Sequence, residues 1–319
     1  MTTTIEQQTL EAIRALSLDE LTINTRYRDH PELCKTDHER LFRYELSSAI
    51  ESGGICASAS SGNKAVSICA IKPLNWDSRH FGHPMAKLTL AAAPECAPDS
   101  VLELLDTVIT SMKKDKPHLH ISCEVDIDDY NCLNPLLNLG AIILDIKREY
   151  RWTSPKNIKP PKFLSQIRDY RPEDKNRVMS ILHQSDFKSR FTRDALLNPK
   201  KTTELYKIWL EKLLDGKEGD RIALVAERNG EVQACGTIEK HDLSHAGINI
   251  NMMSGGIYVS TPLARGSYYP IIYSLTEKAS LICKTSQTCV SLNNHPAIRV
   301  LERMNFGTRS TRYALRLVR

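Results

Sequence analysis

Between residues 164 and 319 the apolar positions switch between a two-residue and a 3.6-residue period, and each switch marks an element. Residues 166–170 read as a short strand. Pro172, Glu173 and Asp174 then open a helix with proline and acids in its first turn, and Val178, Ile181 and Leu182 give its apolar spacing. A second helix over 203–214 stops at Gly216. Strands over 223–227 and 232–240 flank Asn229-Gly230, a strong hairpin signal. A strand over 255–260, a helix over 268–284 and a strand over 288–292 follow. A helix opened by Asn294 and a closing strand over 311–318 complete the series. The order β-α-α-β-β-β-α-β-α-β predicts an α/β domain of the α+β type built on a mixed sheet.

The first half carries a weaker version of the pattern. A helix is predicted over 31–52, with Leu33, Leu41, Tyr44 and Leu46 partly on one face. A strand over 65–71, a helix over 101–112 and a strand over 118–125 come next. Asn134-Pro135-Leu136-Leu137-Asn138-Leu139-Gly140 leads into a strand over 141–152. Pro155, Pro160 and Pro161 among polar residues deny both helix and ladder, so 154–163 reads as a semi-rigid linker. The predicted division is 1–153, linker 154–163, and 164–319. Placing Gly140 on Asn305 brings Leu136 onto Leu301, with a short helix before a closing strand in each copy. The first half thus reads as a degenerate second copy of the same fold.

A length of 319 residues suits two domains. The 41% hydrophobic and 25% charged content is that of a globular chain. The net charge of +5 comes from basic residues scattered among acids, which makes no case for nucleic acid. Nine cysteines stand without a C-x-x-C pair and read as reduced, mostly buried thiols. The first residues lack an export-signal profile and no apolar run reaches the ~18 residues of a membrane span. These features predict a cytoplasmic protein without a membrane partner, monomeric or homodimeric. His80 with His83, and His118 with His120, lack further ligands at metal spacing, so no metal is expected.

Two segments carry the candidate chemistry. Asn294 through Gly307 is an Asn just past a strand, an amphipathic helix, a Phe306-Gly307 break and a final strand. Ile257 through Tyr268 is strand, turn and helix start, with Arg265, Gly266 and Ser267 in the turn. Together they resemble the donor-binding motifs of the GNAT acyl-CoA-dependent N-acyltransferases. The resemblance implies two GNAT-like lobes, the first degenerate, and an acyl-CoA co-substrate. It places the pantetheine arm against Val259 and Ser260, the pyrophosphate against Arg265, Gly266 and Ser267 at a helix N-terminus, and Asn294 beside the donor. Tyr268 and Pro270 depart from the family's small residues there.

Ser189-Arg190-Phe191 with Tyr206, Trp209 and Gly216, and Leu74 through Gly82 in the first half, are similar to the TDP-fucosamine acetyltransferase branch of that family. This implies an amino-deoxysugar linked to a nucleotide (dTDP) as acceptor, in the synthesis of a surface polysaccharide such as an O-antigen or lipopolysaccharide. The acyl group would be acetyl or a larger one such as 3-hydroxybutyryl. Arg190, Phe191, Tyr206 and Trp209 are then acceptor-binding residues. Read from the residues alone, Tyr206 and Trp209 are equally a core face and Arg190 a solvated arginine.

Amide formation needs a neutral amine, a stabilised oxyanion and a proton for the thiolate. In the family the acid is often a Tyr seven residues after the motif Asn, and here that residue is Leu301. The proton then comes from another hydroxyl (Tyr258, Tyr268 or Tyr269) or from water, or the site no longer catalyses. Glu239 at the hairpin's end is the candidate base, or a plain strand-end carboxylate. The open alternatives are a GNAT enzyme acting on another small-molecule or protein amine, and a non-catalytic CoA-binding module.

Overall fold

A computed structural model describes residues 4–62, 64–113, 118–152, 158–185, 187–216, 220–264 and 266–319. Arg265 and the linker residues 154–157 lie outside the described residues. The elements run β1 (Thr4–Gln7), α1 (Leu10–Ala15), α2 (Lys35–Glu51), β2 (Ile55–Ser61), β3 (Lys64–Pro73), α3 (Asn75–Phe81), β4 (Met85–Ala92), α4 (Pro98–Lys113), β5 (His120–Asp126), α5 (Tyr130–Asn138) and β6 (Ile142–Trp152). They continue with β7 (Gln166–Asp169), α6 (Lys175–Gln184), α7 (Arg190–Arg193), α8 (Pro199–Leu214), β8 (Arg221–Arg228), β9 (Glu231–His241), β10 (Met252–Ser260), α9 (Tyr268–Ser280), β11 (Thr285–Ser291), α10 (His295–Arg303) and β12 (Gly307–Val318).

The chain forms two compact units that are discontinuous in sequence, where the linker predicted contiguous halves at 1–153 and 164–319. The first unit comprises Met1–Ile146, Ser244–Ile248 and Ser310–Arg319, and the second Lys147–Leu243 and Asn249–Arg309. In the first, β1, β2, β3, β4 and β5 are joined by the end of β12, which runs antiparallel to β5 from Arg312↔Asp126 to Val318↔His120. Helix α4 repeats apolar residues at helical spacing, and Val101, Leu104, Leu105, Val108 and Ile109 are all buried against the strands. Strand β2 (ICASASS) was not readable as a strand, because its residues are small and four in a row, Cys56 through Ala59, are buried without alternation.

In the second unit β7, β8, β9, β10, β11 and the end of β6 pair in that order, with β10–β11 the parallel pair. Asn229 (φ 54°) and Gly230 (φ 76°) make the left-handed hairpin turn that the dipeptide predicted. Helices α6 and α8 cover one sheet face through Val178, Ile181, Leu182, Leu210 and Leu213. Helix α9 covers the other through Ile271, Leu275 and Ala279.

The internal repeat extends further than the sequence showed. With Gly140 on Asn305, β5 falls on β11 and α5 on α10, residue for residue. Asp129 falls on Asn294, and both cap their helices: Asp129 Oδ1 accepts from Cys132 N at 3.2 Å and Asn294 Oδ1 from Ala297 N at 3.3 Å. All nine cysteines are free thiols, with Cys34 exposed and Cys289 half-buried. Burial pushes the Cys56, Cys123 and Cys235 thiols up to about 12. Among the described residues no helix is long and apolar enough to cross a membrane.

Candidate active site

The second unit opens between its two parallel strands. β10 and β11 pair only over Met252↔Thr285, Met253↔Ser286 and Ser254↔Gln287. Beyond that, 255–260 stays on β9 while 288–291 stays on β6. Two glycines that allow close approach mark where they part. A Cβ on Gly255 would lie 2.5 Å from Thr288 Oγ1, and one on Gly256 would lie 2.4 Å from Thr237 Oγ1 and 2.9 Å from Leu213 Cδ1. Gly256 and Ile257 together oppose Thr237, between the pairs Gly255↔Ile238 and Tyr258↔Gly236, which is a β-bulge.

The bulge decides which amides face the opening. Ile257 N donates to Thr237 Oγ1 at 2.8 Å, and Thr261 N donates to Gln233 O at 2.9 Å, both toward β9. Backbone groups alternate sides along a strand. Val259 therefore faces β9, and Tyr258 and Ser260 turn their N–H and C=O groups into the opening. The side chains of Ile257 and Val259 pack under α6 and α8.

The turn into α9 lies at the wide end. Gly266 has φ 93°, a conformation that favours glycine. Ser267 does not cap α9 with its side chain; its hydroxyl donates to Ala264 O at 2.7 Å and meets Tyr258 Oη at 2.8 Å. The first turn of α9 thus leaves its amides to other acceptors, apart from Pro270, which has none. Tyr258 and Tyr268 pack edge to face with centroids 4.6 Å apart. Burial raises both phenols above their ordinary value, and the Ser267 hydrogen bond opposes this at Tyr258. Asn294 is exposed at the end of β11, whereas Leu301 is 1% exposed in a core with Tyr150, Trp152, Val290, Met304 and Phe306. The position of the family's usual acid is filled by packing.

Glu239 on β9 pairs with Ser254, the last residue of β10 joined to β11, so it stands at the closed end of the opening. Its carboxyl is half-buried, and burial raises its pKa while the Lys212 charge lowers it. The same row continues to Gln287 and Arg151. Gln287 Oε1 accepts from Arg151 Nε and Nη2 at 3.2 and 3.0 Å, and its Nε2 donates to Glu149 Oε2 at 3.2 Å, all nearly inaccessible to solvent.

The acceptor candidates gather on α7 and α8. The Tyr206 hydroxyl donates to Ser189 Oγ, and its ring stacks on Phe187 with centroids 4.4 Å apart. The Arg190 guanidinium lies 4.7 Å from the Phe191 ring centre. Tyr206 is part of the core, but Trp209 on the same helix is 38% exposed. In the amide orientation that satisfies its neighbours, Asn293 Oδ1 accepts from Arg193 Nη1 and Nη2 at 2.9 and 2.8 Å, which ties α7 to the end of β11 beside Asn294. His245 packs against Tyr44 in the first unit. Among the described residues no group of three or more His, Cys, Asp or Glu is placed to hold a metal.

Sequence reasoning missed Thr237, Gly255 and the Glu149–Arg151–Gln287 cluster. Only Gly255-Gly256 left a signal, since a glycine pair inside a strand marks a bulge or close approach.

The first unit parts its parallel strands in the same way: β4 and β5 pair only from Met85↔His120 to Leu88↔Cys123. That opening is filled by the chain's own N-terminal segment. Ala93 N bonds Val66 O on β3, so Ala92 faces the opening, and its carbonyl accepts from Thr22 N at 3.0 Å. Asn24 Nδ2 donates to Asp129 Oδ2 at 3.2 Å, and Arg28 lies 3.8 Å from Asp126 and 3.5 Å from Asp128.

Solved structures share the fold, among them the following three. A tandem GNAT protein from the clavulanic acid biosynthesis pathway matches with a TM-score of 0.52 and 12% identity, over 99% of this chain and 98% of that one. A GCN5-related N-acetyltransferase from Sphaerobacter thermophilus matches at 0.53 and 10% identity, over 95% and 96%. A GCN5-related glucosamine N-acetyltransferase region in a fungal multi-domain GH3 β-N-acetylglucosaminidase matches at 0.58 and 14% identity, over 99% of this chain and 38% of that one. The chain therefore has a tandem GNAT-like fold. No family model and no curated protein matches its sequence.

Proposed function

We propose that the second unit is an acyl-CoA-dependent N-acyltransferase whose acceptor is the amine of a nucleotide-linked amino sugar, acting in the cytoplasm. The observation that carries this reading is the opening between β10 and β11, lined by the outward backbone of Tyr258 and Ser260, with the Gly266 turn at its wide end. An extended pantetheine arm fits such an edge as an added strand. Gly266, Ser267 and the first amides of α9 suit a pyrophosphate, and Asn294, exposed at the end of β11, is the proposed contact on the other strand. The exposed Trp209 and the Arg190–Phe191 pair support a sugar nucleotide, since an aromatic face stacks on such rings and a guanidinium pairs with a diphosphate.

In this account the amine nitrogen attacks the thioester carbonyl carbon, and the resulting oxyanion meets the Ser260 or Tyr258 amide. The C–S bond then breaks and the thiolate takes a proton. Glu239 receives the amine's proton, directly or through water. Its raised pKa makes it a stronger base than an exposed carboxylate. Tyr258, whose hydroxyl meets Ser267 Oγ, is the first candidate proton donor, and Tyr268 the second.

The rate should rise with pH through an acid limb placed above the ordinary glutamate value of 4.5. Lys212→Met should move that limb to higher pH, because removing the cation disfavours the carboxylate, and Glu239→Gln should abolish it. A pH profile of kcat for the three proteins checks this; identical profiles would remove Glu239 from the mechanism.

The core placement of Leu301 favours a second reading, a CoA-binding module without turnover. Thiol release from acetyl-CoA with a panel of dTDP- and UDP-linked amino sugars separates the two. No release with any sugar, together with retained CoA binding, supports the module.

A further inference from the structure

We infer that Thr237 is a positioning residue: it replaces one rung of backbone ladder with its side chain, and so aims the amides of Tyr258 and Ser260 into the donor opening. The inference rests on the proposed transferase reading of that opening.

Where two residues of β10 oppose one of β9, the ladder cannot close with backbone groups alone. Thr237 Oγ1 closes it. The oxygen accepts from Ile257 N at 2.8 Å and donates to Ile257 O at 3.1 Å, so both polar groups of the bulged residue are satisfied on the β9 side. Thr237 is 4% exposed, and water does not stand in for that oxygen freely. The consequence lies downstream. With Ile257 held toward β9, Tyr258 must face the opening, Val259 must face β9, and Ser260 must face the opening again. Without the bulge, every later residue of β10 would turn to the other side, and the amide next to the thioester would belong to Val259 instead.

The neighbouring glycines fit this role. Gly256 has no room for a Cβ because Thr237 Oγ1 occupies it, and Gly255 has none because Thr288 approaches from β11. Only an oxygen-bearing β-carbon at 237 meets both Ile257 groups. Serine keeps the oxygen, while valine keeps the shape and loses it. Sequence position 237 is otherwise an ordinary β-branched strand residue, so its role is visible only in the register.

The test compares Thr237→Val with Thr237→Ser in the full chain. Hydrogen exchange should show the Ile257 amide slow in the parent and in Thr237→Ser, and faster in Thr237→Val. Turnover by Thr237→Val should fall on the order of 10- to 100-fold in kcat, as expected when an oxyanion donor is misaligned. CoA affinity should weaken as well, because the same backbone edge receives the pantetheine arm. Thr237→Ser should recover most of the rate. A merely structural role would lower thermal stability in both variants without separating them in kcat. Faster Ile257 exchange with unchanged kcat overturns the inference while leaving the transferase reading intact. A parent chain that neither binds CoA nor releases thiol overturns both.

Discussion

Deleting Ser310–Arg319 is expected to unfold the first unit, although these residues lie at the far end of the sequence from it. The segment runs along the whole of β5 and closes it with reciprocal bonds between Leu119 and Arg319. Leu315 and Leu317 are 2% and 3% exposed in the first unit's core, and Arg312 pairs with Glu124 at 3.1 Å. Removing two buried leucines alone costs roughly 4–10 kcal/mol by large-to-small precedent. A domain holds about 5–15 kcal/mol in total. Leu315→Ala should already lower stability by about 2–5 kcal/mol, measured by denaturant titration followed by circular dichroism. A fragment ending at 153 should likewise fail to give a cooperative transition, because its sheet lacks that strand. A stable, cooperatively folding 1–153 fragment would show that the first unit does not need the end of the chain.

Gly256→Ala is the second large effect. Its methyl would sit 2.4 Å from Thr237 Oγ1 and 2.9 Å from Leu213 Cδ1, and both neighbours are buried in the sheet and the α8 core. Neither can retreat without breaking the bonds to Ile257 or disturbing the helix packing. The expected relief is loss of the bulge, which rotates Tyr258 and Ser260 away from the opening. Turnover should drop on the order of 100- to 1,000-fold, the cost of removing an oxyanion donor. Alanine at Gly230, by contrast, meets no atom within 4 Å and distorts only an outer turn at positive φ, so it should cost stability and little rate. Steady-state kinetics on the two variants checks the contrast. Equal losses would mean that the glycine acts through general stability.

Much of this was legible because local chemistry decides it. The Asn229-Gly230 hairpin, the Asn294 cap and the helix after Ser267 each follow from residues close in sequence. The faint Leu136–Leu301 correspondence proved to be part of a residue-for-residue repeat of strand, cap and helix. What stayed hidden depends on partners distant in sequence. The alternation over 311–318 marks a strand but does not say that β5 receives it. Gly255-Gly256 announces an irregularity, yet only the register shows Thr237 and Thr288 crowding those positions. Leu301 was read as a departure from a family pattern. With Ala297 it also forms the buried face of α10, which the helical spacing already encoded.

The N-terminal segment was unreadable for the same reason. Thr22, Asn24 and Arg28 carry no motif, and their bonds to Ala92, Asp129 and the Asp126–Asp128 pair appear only in three dimensions. Burial and the neighbouring Asp128 push the Asp126 carboxyl up to about 6, opposed by Arg28. An acidic, already occupied opening is a poor host for a polyanionic donor. The chain is therefore expected to take up one acyl-CoA, in the second unit.

Hydrogen exchange with and without CoA tests this most directly, because it reads both openings in one experiment and needs no acceptor. Protection is expected over 256–269 and 291–297, with 89–97 and 124–131 unchanged. Protection in the first unit's opening, or no protection along β10 and the start of α9 at saturating CoA, would contradict the assignment of the donor site.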